Sequence, residues 1–152
     1  MIKLHPLHPA LAHFPIGALG IGTGLDVTAG LDIHSETLWP ISTLLLVIGI
    51  ATAVLTIAAG IWDFGKLLKT QSTLFDNIVR HAAIMICSWC IYIFAVILRF
   101  EDGELGFLTG LPVGLSVAGL ATLMIGGWYG GDLVYGHSAN VNRGICENID
   151  TP

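Results

Sequence analysis

A bundle of four membrane-crossing α-helices, all-α with both termini on one side, is the fold class the sequence predicts. Three observations lead there. The chain of 152 residues is 54% hydrophobic and 11% charged, too apolar for an ordinary soluble domain of its length. Residues 40–62 and 105–131 hold no charged side chain, and neither Ala10 to Leu25 nor residues 81–98 hold a full charge; roughly 20 such residues cross a hydrocarbon core of about 30 Å. Polar breaks separate these stretches into four spans, so residues 1–152 read as a single transmembrane domain.

The first span is expected over about residues 9–30. A proline biases its predecessor toward extended backbone, which should leave His5 and His8 outside the helix and set Pro9 at its first position. His13 then lies about one turn inside, and Pro15 interrupts the hydrogen-bond ladder. Helical steps from His13 reach Gly17, Gly20 and Gly24, a strip without side chains below one histidine. Asp26, toward the far end, reads as a cap or a hydrogen-bonding partner of a neighbour.

A polar connection with Asp32, His34, Ser35 and Glu36 leads to Trp39-Pro40, an interfacial aromatic followed by a helix start. The second span is expected over 40–62, followed by a loop from Asp63 to Asp76 that carries Lys66 and Lys69. Asp76 or Asn77 can cap the third, over 77–99, which places His81 about one turn in, as His13 is in the first. The acidic link Glu101-Asp102-Gly103-Glu104 precedes the fourth, over 107–135. Stepping back from His137 gives Leu133, Gly130, Gly126 and Gly119, a second glycine strip beneath a second histidine.

Alternate crossings put His5, His8, His13, His81 and His137 at one membrane face and His34 at the other. The first face also holds Lys3, Lys66, Lys69, Arg80 and Arg143, against Arg99 opposite, so the positive-inside rule puts both termini and the histidine cluster on the cytoplasmic side of the membrane. A retained N-terminus is expected, because no small-residue cleavage site follows a short apolar core. The net charge of −5, with no basic cluster, argues against a nucleic-acid partner. Cys87, Cys90 and Cys146 suggest no disulfide framework and are expected as free thiols.

Imidazole ligates iron, copper and zinc, and ionisable groups in a membrane domain are costly enough to suggest a function. Haem is favoured over a bare ion. Facing helices of a bundle can supply two axial imidazoles, and side-chain-poor walls beneath His13 and His137 would suit a porphyrin. Without a Cys-x-x-Cys-His sequence the haem would be b-type. His8, His13, His81 and His137 are the candidate ligands, for one or two haems, with Gly17, Gly20, Gly126 and Gly130 as candidate walls. His13 with His81, at similar depth, and His8 with His137 are the expected pairs.

Each sign has a plainer counterpart. Glycines four apart, as in Gly126-x-x-x-Gly130 and Gly127-x-x-x-Gly131, also make helix packing faces or a homodimer seam. Cys87-Ser88-Trp89-Cys90 has redox-motif spacing but reads better as core packing in mid-span. Asp63, Asp132 and Arg80 are either partners of ligating imidazoles or an interfacial ion pair.

Four segments carry a family resemblance: His8-Pro9-Ala10-Leu11-Ala12-His13-Phe14-Pro15-Ile16, Gly60-Ile61-Trp62-Asp63, His81-Ala82, and Gly127-Trp128-Tyr129-Gly130-Gly131-Asp132-Leu133-Val134-Tyr135-Gly136-His137. In these the chain resembles the domain of unknown function 2231 family of bacterial membrane proteins, over almost its whole length. The resemblance implies a four-helix membrane protein whose family histidines correspond to His8, His13, His81 and His137, and it implies little about a reaction. Ser138-Ala139-Asn140-Val141 replaces a Gly-Val-Gly-Val that often follows the last histidine in that family.

The sequence therefore points to a small inner-membrane b-type cytochrome that exchanges electrons with a quinone or a redox protein, within or beside a homodimer. A non-haem metal site, for sensing or transport, and a structural membrane subunit are the alternatives from other classes.

Overall fold

The computed structural model describes residues 7–70 and 72–137, and for 66–70 and 72 the backbone alone. Its helices are α1 (Leu7–Gly30), α2 (Ser35–Thr70), α3 (Phe75–Ile97) and α4 (Gly110–Gly131), with a short 3₁₀ turn at Ser72–Leu74 and a π-helical turn at Asp132–Gly136. The four spans are 24, 31, 23 and 27 residues long. At about 1.5 Å per residue even the shortest exceeds a hydrocarbon core of about 30 Å. Phe14, Leu31, Ile61, Trp62, Phe107, Met124 and Trp128 are exposed, as expected of a surface whose solvent is lipid. The chain is an integral membrane four-helix bundle.

Several boundaries differ from expectation for identifiable reasons. α1 begins at Leu7, so His8 lies inside its first turn; first-turn N–H groups have no helical partner, and Pro9 forfeits nothing there. α2 runs well past Trp62, to Thr70, since no proline or glycine pair follows Asp63 to break the helix. α3 stops at Ile97, and Arg99 turns inward. The acidic link closes as a hairpin, Phe100–Glu101 against Glu104–Leu105. Asp102 (φ 51°) and Gly103 (φ 87°) form its turn, the left-handed pair that an Asp-Gly hairpin favours.

α1 packs chiefly on α2 and α3 on α4, with lighter contact between the two hairpins. Lipid supplies no hydrophobic drive between helices, so close packing and hydrogen bonds must hold them. Leu19 of α1 sits against Gly49 of α2, Leu46 of α2 against Gly22 of α1, and the Tyr92 ring of α3 against Gly119 of α4. Leu19, Leu46, Tyr92 and Leu123 form a core cluster with one residue from each helix.

A fully buried ion pair joins the four helices at the end away from the histidines. The Arg99 guanidinium meets both oxygens of Asp26 (α1). It also donates to Ser42 Oγ (3.1 Å) and Thr43 Oγ1 (3.0 Å) of α2 and to Ser116 Oγ (2.9 Å) of α4. Ser42 Oγ donates to Asp26, and the Trp39 ring centroid lies 4.3 Å from the guanidinium carbon. Of the two roles expected for Asp26, cap or partner of a neighbour, it takes the second, bonded to Ser42 and Arg99. Trp39 is buried, with its indole N–H donated to Gly106 O at 3.0 Å. Cys87 and Cys90 depart from the core-packing expectation, since both are exposed on α3 and free; Cys146 lies outside the described residues.

Replacing Arg99 by methionine strands the Asp26 carboxylate and should lower the unfolding free energy in detergent by about 3–5 kcal/mol. Adding Asp26→Leu should recover most of that loss. Denaturant titration of the single and double variants checks this; an unperturbed single variant would contradict the anchoring role.

Candidate functional site

The start of α1, the late part of α2, the start of α3 and the end of α4 converge at the other end of the bundle. His8 donates Nδ1–H to Thr56 O of α2 at 2.9 Å, and His81 donates Nδ1–H to Gly126 O of α4 at 2.9 Å. A carbonyl oxygen only accepts, so the proton sits on Nδ1 in both rings and Nε2 keeps its lone pair in the neutral form. The rings approach each other with centroids 6.4 Å apart and planes at 86°.

Glycine makes both placements possible. A Cβ at Gly60 would stand 2.9 Å from His8 Nδ1, and one at Gly130 would stand 2.9 Å from His81 Cε1. Each imidazole therefore lies against bare backbone of the neighbouring helix, one turn beyond the carbonyl that fixes its tautomer. Gly126 and Gly130, expected as cofactor walls, instead form the seat that α3 packs into: Gly126 meets Met85 and Ile84, and Gly130 meets His81.

His13 and His137 repeat the tautomer but not the setting. His13 donates Nδ1–H to Pro9 O of its own helix at 2.8 Å and is exposed. His137 donates to Asp132 O at 3.2 Å, with the Asp132 carboxylate 3.4 Å away. The strip below His13 faces outward, since a Cβ added at Gly17, Gly20 or Gly24 would meet nothing within 4 Å. The structure thus brings His8 to His81, where depth alone had paired His81 with His13. His8 lies within α1, on the face toward α2. His5 lies outside the described residues.

Arg80 lies 5.8 Å from the Tyr129 ring centroid, and Asp132 is the charged neighbour of His137. Among the described residues, no three His, Cys, Asp or Glu side chains converge as a metal cage. Sequence reasoning missed the Asp26–Arg99 network. Its signal was available: two opposite charges at the margins of otherwise uncharged spans, on the same side of the membrane, are strong candidates for each other.

Alanine at Gly60 or Gly130 should push the imidazole off its carbonyl, with an overpacking cost of about 1–3 kcal/mol. Alanine at Gly17 or Gly20, where space within the chain is open, should leave the histidine rings in place and carry no such overpacking cost. Unfolding in micelles together with ¹⁵N spectra of the histidine rings separates the two pairs; equal effects at all four glycines would contradict the seat.

Residues 4–143 match a family model described as "Predicted membrane protein (DUF2231)". No curated protein and no solved structure is significantly similar to the chain.

Proposed function

The chain belongs to the DUF2231 family of membrane proteins, and from that premise we propose that it is a small b-type cytochrome whose haem is held axially by His8 and His81. The observation that carries this reading is the prepared pair of imidazoles. Both rings are fixed by Nδ1–H bonds to backbone carbonyls of the adjacent helix, both keep Nε2 free, and their centroids stand 6.4 Å apart. Two imidazoles bound to one metal at about 2.0–2.1 Å per nitrogen have centroids roughly 6 Å apart.

Two protein ligands suit haem better than a bare ion. A porphyrin brings four nitrogens of its own, whereas zinc held by protein alone wants three or four side chains. An iron with both axial positions filled by imidazole exchanges single electrons and leaves no position for substrate. The chain's own groups do the rest. Thr56 O and Gly126 O orient the rings, and the two hairpins meet each other through lighter contact than the helices within each hairpin make. His13 and His137 lie outside this pair, each bonded to a carbonyl of its own segment.

The site lies at the end of the bundle that the positive-inside rule assigns to the cytoplasm of a bacterial inner membrane. A quinone reaching it through lipid, or a redox protein docking at that face, is the electron partner. The outward strip Gly17, Gly20 and Gly24 is the face open to a second copy in a homodimer.

Purification in detergent from haem-replete cells, with oxidised and dithionite-reduced spectra and pyridine haemochrome quantitation, tests the reading. Sharp low-spin b bands are expected, lost on His8→Ala or His81→Ala and kept on His34→Ala. A colourless protein overturns it, and metal analysis of the same sample would then report on a non-haem ion.

A further inference from the structure

Four of the six buried positions of α1 recur in α3 or just beyond it at a constant spacing. Pro15, Leu19, Gly22 and Asp26 are buried along α1; 73 positions later, Ser88, Tyr92, Ala95 and Arg99 are buried along α3 and just beyond it. His8 and His81 stand at that same spacing. The second helices repeat with a spacing of 70: Ser42, Leu46, Gly49 and Thr56 are buried in α2, as are Pro112, Ser116, Gly119 and Gly126 in α4.

The contacts recur with the positions. Leu19 lies on Gly49 as Tyr92 lies on Gly119, and His8 lies on Gly60 as His81 lies on Gly130. The two Nδ1–H bonds end on Thr56 and Gly126, which are equivalent at the spacing of 70. The histidines and the glycines that carry these contacts are identical at the matched sites, His8 with His81, Gly49 with Gly119 and Gly60 with Gly130, while the other matched buried side chains differ in chemistry.

Because α1 and α3 start from the same end, the two hairpins run in parallel, and the operation relating them is a rotation about an axis along the bundle. Equivalent positions that touch each other must lie astride that axis. His8 and His81 do so at one end, Asp26 and Arg99 at the other.

We propose that the chain is two tandem copies of one helical hairpin, and that His8 and His81 form a single ligand site on the pseudo-two-fold axis between them. The identity of that ligand as haem rests on the reading above; the site's symmetry does not. One ligand group per chain follows, held equally by both halves. The position equivalent to His13 is Ile86, so His13 has no counterpart and stands outside the symmetric site. Asp26 and Arg99 mark where the copies diverged: two aspartates or two arginines would repel across the axis, and the unlike pair makes each hairpin select the other over a copy of itself.

Two full-length variants and one permuted chain test this. His8→Met and His81→Met should each keep one haem per chain and give the same His–Met spectrum, with reduction potentials shifted in the same direction and to a similar extent. If the wild type binds haem and only one of the two substitutions alters its spectrum, the shared axial site is overturned while a cytochrome survives. The permuted chain opens between Gln71 and Ser72 and joins Pro152 to Met1, so that the order of the hairpins is exchanged. It should be monodisperse in detergent with a melting temperature close to that of the native order, whether or not haem binds. A permuted chain that aggregates or melts far lower overturns the tandem-copy proposal. A wild type without haem that tolerates permutation sinks the cytochrome and leaves the two-copy architecture standing.

Discussion

The buried Asp26–Arg99 pair is the constraint on which the arrangement of helices depends. An ionised group sealed inside a bundle without a partner costs several kcal/mol, and a helix surface facing lipid gains little from turning inward instead. Arg99 finds its acceptors on α1, α2 and α4 at once. An arrangement that misplaces any of these helices leaves a buried donor or acceptor unmet, so the network specifies the bundle as well as holding it. Trp39 and the Phe100–Leu105 hairpin close over it, with Gly106 N–H on Arg99 O at 2.8 Å and Trp39 on Gly106 O.

With one end fixed by charge, the other is free to be built around polar rings. The histidine end has no interlocked ion pair of that kind among the described residues. It has two imidazoles seated on glycines, each hydrogen-bonded to a carbonyl whose own helix already holds it rigid. Those bonds set the tautomer. Interlocked charge at one end and carbonyl-bonded imidazoles at the other is a division that suits the proposed cytochrome.

Much of the fold was legible because long uncharged runs need a membrane and each of the four spans shows one. The histidines were legible as a cluster because crossing parity places groups on a side without any knowledge of packing. Their pairing was not. Parity gives depth, and the azimuth of His8 depends on whether the helix begins before or after Pro9, a matter of two residues. The glycines carried the opposite ambiguity. Gly17 and Gly130 look alike in sequence, yet one faces outward and the other receives a ring, and only the neighbouring helix decides which. Arg99 read as a flanking charge because it follows the last apolar residue of its span; the hairpin that turns it inward is set by Asp102-Gly103, whose effect on the preceding residues is tertiary.

The central proposal is that His8 and His81 would both ligate one haem iron, and its most specific geometric feature is the angle between their rings. Electron paramagnetic resonance of the oxidised, detergent-purified protein reads that angle directly. With the planes at 86°, the account predicts a low-spin ferric signal of the strongly anisotropic kind that crossed axial imidazoles produce. A high-spin signal, the rhombic low-spin signal of parallel imidazoles, or no ferric haem signal at all would contradict it.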